Sequence, residues 1–479
     1  MKGASPVLTY TLDKQAGLSL YEQLYRRVKA DILSGRLAAG EKLPSKRALA
    51  AHLEVSVITV KNAYEQLMAE GYLTGVEKKG YFVSAVLPSP AAVPASPDQP
   101  PPPREPVWFL DLATNSIAAE DFPFTVWARL MRQTILEQGT GLLRSTPPQG
   151  AWALRQAIAA HLRQFRAMEV TAEQIIVGAG TEVLYNLLVQ LLGRDRLYGV
   201  EDPGYSKAAR IYALGGARTA PVLVDEGGVS LRSLEMSGAQ ILHTSPNHQF
   251  PTGAMTPIGR RQSLLRWAEA REGRYIIEDD YDSEFRFTLR PIPTLQSIDR
   301  AGRVIYVNTF SRTLAPSLRI SYMVLPKSLT ERYRAQLGFY SSTVPAMEQH
   351  TLARFLDEGY FEAHINRMRK SYRAQRDAVI DTILQSPLGE HCRVSGEDAG
   401  LHFLLTIDTK CTDHVLRADA EGRGVRLSFL SDFALRPGSA PQHTLVIHYP
   451  GIDLGRLRSA LSILEALLYF RDWKYKGRK

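Results

Sequence analysis

Residues 303–313 read Arg303-Val304-Ile305-Tyr306-Val307-Asn308-Thr309-Phe310-Ser311-Arg312-Thr313. Three β-branched residues and an aromatic in one short run, ending in a polar segment, have the composition of a strand covered on both faces. The signature recurs at Gln174-Ile175-Ile176-Val177, Arg196-Leu197-Tyr198-Gly199-Val200, Gln240-Ile241-Leu242-His243 and Arg274-Tyr275-Ile276-Ile277. Helical stretches lie between these runs. Strands of this kind separated by helices imply an α/β class with a mostly parallel sheet. In such sheets functional groups gather in loops at the carboxyl ends of strands, which directs attention to residues 308–313. From about Tyr340 onward a long helix and antiparallel strands are expected, giving a small C-terminal α+β subdomain.

The chain has 479 residues, 44% of them apolar and 22% charged, an ordinary balance for a globular protein with a sizeable core. Length alone suggests roughly three units. The only cysteines are Cys392 and Cys411, so no disulfide framework is expected. No apolar run is long enough for a membrane span or a leader, and the expected location is cytoplasmic with no membrane partner. The net charge of +9 points weakly to a polyanionic partner. Part of the excess lies in the first 86 residues, with twelve Lys/Arg against eight Asp/Glu.

A proline-dense segment divides the chain. Nine of the nineteen residues from Pro88 to Pro106 are proline. Such a run resists helix and sheet and favours extended polyproline II, reaching about 60 Å. The expected organisation is a small domain over 1–86, a linker over 87–106 and a large domain over 107–479.

In the small domain Leu20, Leu24, Val28 and Ile32 recur at helical spacing. Ser45 caps a second helix, and Glu54-Val55-Ser56 turns into a third that runs from Val57 to about Glu70 and ends at Gly71. Two short strands flank Gly75-Val76-Glu77-Lys78-Lys79. The helix start at Ser45, Lys46 and Arg47 suits a phosphate contact through dipole and charge. The arrangement resembles a winged helix-turn-helix, which would set Ser56, Thr59, Lys61, Asn62 and Tyr64 toward a DNA major groove and Lys78 and Lys79 on the wing tip.

This region resembles the winged helix-turn-helix of GntR-type bacterial regulators. The resemblance is carried by Leu43-Pro44-Ser45-Lys46-Arg47-Ala48-Leu49-Ala50, Val55-Ser56-Val57-Ile58-Thr59-Val60 and Lys79-Gly80-Tyr81-Phe82-Val83. It implies operator DNA as a partner. Val57 stands where that family usually has arginine, which removes one DNA contact and offers an apolar one to a thymine methyl.

The large domain is similar to class I aminotransferases of the fold-type-I pyridoxal phosphate (PLP) group. The stretches that carry this are Val177-Gly178-Ala179-Gly180-Thr181, Glu201-Asp202-Pro203-Gly204-Tyr205, Ser245-Pro246-Asn247-His248-Gln249-Phe250-Pro251-Thr252-Gly253, Ile277 to Phe285 and Thr309 to Pro326. Joined to the first domain, they resemble the MocR/GabR subfamily of regulators over nearly the whole chain. The resemblance implies a cofactor site. Gly180, Thr181, Ser311 and Arg319 would cradle the phosphate, Tyr205 would stack on the ring, Asp279 would meet the pyridinium, and Asn247 and Tyr281 would bond the phenolic oxygen.

Arg312 stands where the family has the lysine that bonds the coenzyme's aldehyde. A guanidinium stays protonated and has no free amine to add to a carbonyl. The expectation is therefore no enzyme, no catalytic residue and no metal ligand. PLP, an adduct of PLP with an amino acid or a related ligand would bind noncovalently and act as a small-molecule effector. The family's carboxylate-gripping arginine has no counterpart at Phe429-Leu430-Ser431-Asp432-Phe433, so Lys207 or Arg426 are the candidates for effector binding. The subfamily also implies a homodimer, paired head to tail with exchanged DNA-binding domains. Two rival readings are a PLP-dependent aminotransferase with an accessory domain and a constitutive DNA-binding dimer with a decayed pocket.

Overall fold

The computed structural model describes residues 8–13, 17–85, 106–114, 121–287 and 292–476, with side chains up to 465. The chain forms two compact units, 1–105 and 106–479. The expected proline-dense linker lies outside the described residues except for Pro106.

The small unit contains α1 (Leu20–Leu33), β1 (Lys42–Leu43), α2 (Lys46–His52), α3 (Val57–Ala69), β2 (Leu73–Val76) and β3 (Gly80–Val83). Ser45 Oγ accepts from the Ala48 N–H at 3.2 Å and Ser56 Oγ from the Thr59 N–H at 3.0 Å. Each cap satisfies a backbone donor that the helix leaves open. Gly71, at φ +78°, ends α3 in the left-handed region that glycine enters without strain. The apolar positions Leu24, Val28, Ile32, Leu49, Val60, Ala63 and Leu67 all converge on one core. β1 pairs with β3, completing a three-stranded antiparallel sheet in the order β1-β3-β2. The two-residue β1 is too short to show a period in sequence.

The large unit runs β4 (Leu110–Asp111), α4 (Phe124–Gln138), α5 (Trp152–Arg166), β5 (Ile175–Gly178), α6 (Thr181–Leu192), β6 (Leu197–Asp202), α7 (Ser206–Leu214), β7 (Arg218–Asp225), β8 (Gly228–Val229), α8 (Leu231–Ser237), β9 (Ile241–Thr244), α9 (Ile258–Glu269), β10 (Tyr275–Asp279), α10 (Leu295–Ile298), β11 (Val304–Thr309) and β12 (Ser321–Val324). It continues with α11 (Lys327–Leu337), α12 (Ala346–Asp357), α13 (Tyr360–Leu384), β13 (Cys392–Ser395), β14 (His402–Ile407), α14 (Asp413–Glu421), β15 (Val425–Arg426), β16 (Thr444–His448) and α15 (Leu454–Lys476).

The central sheet has the order β5-β12-β11-β10-β9-β6-β7-β8. The pairs β11/β10, β10/β9, β9/β6 and β6/β7 are parallel, while β12 is antiparallel to both its neighbours. Successive strand residues enter opposite cores, as the pleat requires. Tyr306 belongs to the core that holds Leu154, Phe310 and Phe361, whereas Ile305 and Val307 belong to the one that holds Leu184, Tyr185 and Leu188 of α6. Coverage of both faces explains why the strands read as unbroken apolar runs. β13, β14 and β16 form a separate antiparallel sheet, the expected α+β portion. Cys392 and Cys411 are free thiols.

Candidate functional sites: a cavity at the strand ends and a DNA-binding face

A cavity of about 260 Å³ opens where the parallel strands end. Asp279 is the last residue of β10 and Thr309 the last of β11, with Ser311 and Arg312 in the turn beyond. Thr181 opens α6, and Tyr205 and Lys207 flank the start of α7. Tyr281 and Arg319 also line the cavity. Eight of the eleven cofactor and effector residues expected from sequence therefore meet in one space. Gly180 caps α6 beside it at φ +94°, and a Cβ there would collide with the Arg319 guanidinium. Only glycine permits both that backbone turn and that approach.

Asp279 is the anchor of the site. Its Oδ2 accepts from Tyr185 Oη at 2.6 Å and lies 3.4 Å from His243 Nε2, and His243 Nδ1 lies 2.6 Å from Tyr212 Oη. Its Oδ1 is buried with no hydrogen-bond partner. A buried carboxylate oxygen left open is costly, unless a donor that the chain does not supply completes it. The Tyr205 hydroxyl is pushed up to about 12, first by burial and then by Asp279 and Glu182. Burial and Asp282 hold Tyr281 far above the ordinary phenol range. Both phenols are hydrogen-bonding groups at neutral pH, and neither serves as a base.

Arg312 is enclosed, and burial lowers its guanidinium from the usual value; Tyr281, Asp282, Tyr205 and Asp279 oppose that shift. These nearby oxygens offset part of the cost of burying its charge. The chemistry at this position is that of a fixed cation and donor, with no nucleophilic amine.

Glu182 is the residue that the sequence reading missed. Its carboxylate bridges Arg319 on one oxygen and Lys207 on the other, within the cradle expected for a phosphate. The cradle's two cations are therefore already engaged by an internal anion. Tyr185, Ser245 and Phe250 also line the cavity without having been expected. Tyr185 was findable, because it lies four residues after Thr181 on the same helical face.

Two candidates sit elsewhere. Asn247 donates from Nδ2 to Asp280 Oδ1 at 2.8 Å and is absent from the cavity wall, because the loop presents Phe250 there instead. Arg426, on β15, pairs with Asp111 of β4 at 3.2 Å and with Thr114. The parallel β4/β15 pairing ties its strand to the start of the unit, away from the cavity. Asp432 is engaged by Arg417 and caps the Phe429 N–H.

His248, Asp282 and His402 form a buried cluster behind Tyr281, with ligand-type atoms within 4.8 Å of one another. The sequence reading, which expected no metal ligand set, did not foresee it. Internal bonds occupy part of the cluster: His248 Nδ1 lies 2.9 Å from Asp282 and His402 Nε2 lies 3.0 Å from the Pro251 carbonyl, while His248 Nε2 is buried with no partner among the described residues.

On the small unit, Arg47, Ser56, Lys61, Asn62, Lys78 and Lys79 are exposed, and Thr59 is half-buried beside its cap. Lys46 lies over the Tyr81 ring at 5.5 Å, which holds its ammonium near the wing. Lys78 takes φ +58° at the hairpin tip. Tyr64 corrects the sequence reading: it is fully buried, and its hydroxyl donates to the Pro44 carbonyl at 3.1 Å. Helical period places it beside Val60 and Leu67 on the core face, opposite the exposed Asn62. In compensation, Ile58 joins Val57 at the start of α3, exposed to 68% and 45%.

Residues 20–83 match the family described as bacterial regulatory proteins, gntR family, and residues 109–416 match aminotransferase class I and II. The HTH-type transcriptional regulator YdeL of Bacillus subtilis (strain 168), named as uncharacterized, is 37% identical over 469 residues, covering 96% of this chain and 98% of its own. The probable rhizopine catabolism regulatory protein MocR of Rhizobium meliloti is 33% identical and covers 95% of each chain. The pyridoxine biosynthesis transcriptional regulator PdxR of Corynebacterium glutamicum is 32% identical, covering 95% and 97%. Among solved structures, kynurenine aminotransferase from Pyrococcus horikoshii superposes with TM-score 0.66 at 21% identity, covering 76% of this chain and 92% of that one, a likeness of fold. The α-aminoadipate aminotransferase LysN from Thermus thermophilus, solved with N-(5'-phosphopyridoxyl)-L-leucine, gives 0.65 at 25% identity, with 75% and 92% covered. The chain thus belongs to the MocR-type branch of the GntR family, transcriptional regulators in which a DNA-binding winged helix-turn-helix is fused to a class I aminotransferase domain.

Proposed function

We propose that the aminotransferase domain holds PLP, or its adduct with an amino acid, without a covalent bond to the chain, and that this ligand is the effector to which operator binding responds. The observation that carries the reading is Asp279 Oδ1, a buried carboxylate oxygen at the cavity with no partner among the described residues. A pyridinium N–H is the donor that fits it. Thr181, Ser311 and Arg319 would hold the phosphate, Tyr205 and Phe250 would bound the ring, and Tyr281 would meet the phenolic oxygen. LysN, at 25% identity, carries a phosphopyridoxyl amino acid in the same fold, which supports the adduct as a ligand class.

Bound PLP supplies an aldehyde and an electron-withdrawing ring. The chain's own contribution is binding and orientation. Arg312 places a cation where the family's chemistry needs an amine, so the chain neither anchors the aldehyde nor moves a proton there. Negligible transamination follows. Lys207 lines the same cavity, but its side chain is engaged in an ion pair with Glu182.

Operator binding is proposed to occur in a homodimer with DNA-binding domains exchanged head to tail. Phe124, Ile135, Leu136 and Leu143, all exposed on or just after α4, support an apolar contact between two large units.

Full-length protein is incubated with PLP, reduced with borohydride and weighed intact by mass spectrometry after denaturation. The expected result is a thermal shift with PLP but no mass gain, and a mass gain in Arg312→Lys. A coenzyme mass retained on the unmodified chain would overturn the noncovalent reading.

A further inference from the structure

A second cavity, of about 350 Å³, lies in the large unit and is larger than the one at the strand ends. It is built by the end of α5, the loop after β10 and the first turns of α13. Its floor is Arg166, with a side chain 10% exposed, which pairs with Asp280 at 3.0 Å and approaches Glu284 at 3.7 Å. The pleat explains why there are two cavities: Asp279 faces the first, and the next residue, Asp280, turns the other way toward Arg166. The two spaces therefore share one strand end.

The lining of this second space carries both signs of charge. Glu362 gives one oxygen to His161 Nδ1 at 3.3 Å, and its other oxygen is buried with no hydrogen-bond partner. One Glu284 oxygen is in the same state. Two buried carboxylate oxygens open in a single cavity call for donors, preferably charged ones. Arg369 supplies the opposite need. Its hydrogen bonds go to the Glu284 carbonyl at 2.5 Å and to the Asn366 amide oxygen at 3.4 Å, both neutral, and it forms no ion pair among the described residues. A guanidinium has five donors, so several stay available to an anion. Between these poles stand Phe165, Phe361 and Ile365, an apolar wall suited to a hydrocarbon side chain.

We propose that this cavity is a second binding site and takes a free amino acid: carboxylate on Arg369, ammonium between Glu362 and Glu284, side chain against Phe165 and Phe361. Arg166 and Asp280 would connect its occupancy to the end of β10 and so to the first cavity. Binding at this second site does not require PLP in the first.

The test uses full-length protein without added coenzyme, titrated by calorimetry with each standard L-amino acid in turn. We expect saturable binding of at least one, retained in Arg312→Gln, which alters only the first cavity. We expect binding roughly tenfold or more weaker in Glu362→Gln and in Arg369→Gln, with the same loss for the matching acid without its amine and the amine without its carboxylate. Glu362→Gln is isosteric and keeps the packing, and melting temperatures recorded for both variants separate lost binding from lost fold. Three outcomes would each overturn the proposal: no binding by any amino acid, meaning that water fills the space; binding lost in Arg312→Gln but kept in Glu362→Gln; or equal binding of the amine or the acid alone.

Discussion

Tyr185 Oη donates to Asp279 Oδ2 at 2.6 Å, across a separation of 94 residues, and the other carboxylate oxygen is left without a partner. A helix starting one turn earlier at Thr181 thus sets both the phosphate-facing end of the cavity and the orientation of its acid. His243, on β9, approaches the same Oδ2, so three elements fix one side chain.

Replacing Asp279 with Asn removes the charge from that pairing. Hydrogen bonds to charged groups contribute about 1.5–3 kcal/mol, or about tenfold to a hundredfold in affinity. PLP affinity measured by equilibrium dialysis should fall by that factor, and Tyr185→Phe, which loosens the acid without discharging it, should cost less. Unchanged affinity in Asp279→Asn would rule out the pyridinium contact.

Glu182 competes with any anion for Arg319 and Lys207. Glu182→Gln should therefore bind inorganic phosphate and PLP several-fold more tightly, with little change in melting temperature, since the pairs are half-exposed and worth at most about 1 kcal/mol each. Weaker phosphate binding in this variant would show that the carboxylate organises the cradle.

Tyr64 distinguishes packing from DNA contact. Tyr64→Ala should destabilise the small domain by about 3–5 kcal/mol, as loss of a buried aromatic does. Tyr64→Phe should keep operator affinity near that of the parent chain, as read by fluorescence anisotropy. A large loss of affinity in a stably folded Tyr64→Phe would restore the hydroxyl as a contact.

The exposed wing lysines and the apolar start of α3 should have different signatures. Lys78→Ala and Lys79→Ala should weaken binding to all sequences and lower the salt slope by about one unit per lost phosphate contact. Val57 and Ile58, exposed at the start of α3, should instead contact thymine methyls, so that exchanging thymine for deoxyuridine in a site selected from random DNA reduces affinity. That effect should vanish in Ile58→Ala combined with Val57→Ala.

His448 gives a pH dependence of known sign. Burial, with Arg312 adding to it, pushes its imidazole from 6.5 down to about 3. Between those values the unfolded chain binds a proton that the folded chain refuses. Stability therefore falls as pH drops from 6.5 toward 3 and is unaffected by this group above 6.5. His448→Phe should flatten a melting profile in that window. A profile identical to the parent's would show that the residue titrates normally.

The sequence alone determined the repeating strands, the cap at Ser45, the two-domain order and the set of residues around Arg312. These are local matters: apolar runs, a hydroxyl three residues before an open N–H, and motifs placed at strand ends by the rules of a parallel sheet. Tertiary structure decided what each side chain meets. Helical phase sent Tyr64 into the core, and the loop after β9 turned Asn247 onto Asp280 and Phe250 into the cavity. The strand pairing of β15 with β4 carried Arg426 away to Asp111. Glu182, Tyr185 and His243 gained their roles from contacts spanning 25 to 137 residues. Such contacts depend on how packed elements cross in space, and no spacing along the chain encodes that crossing.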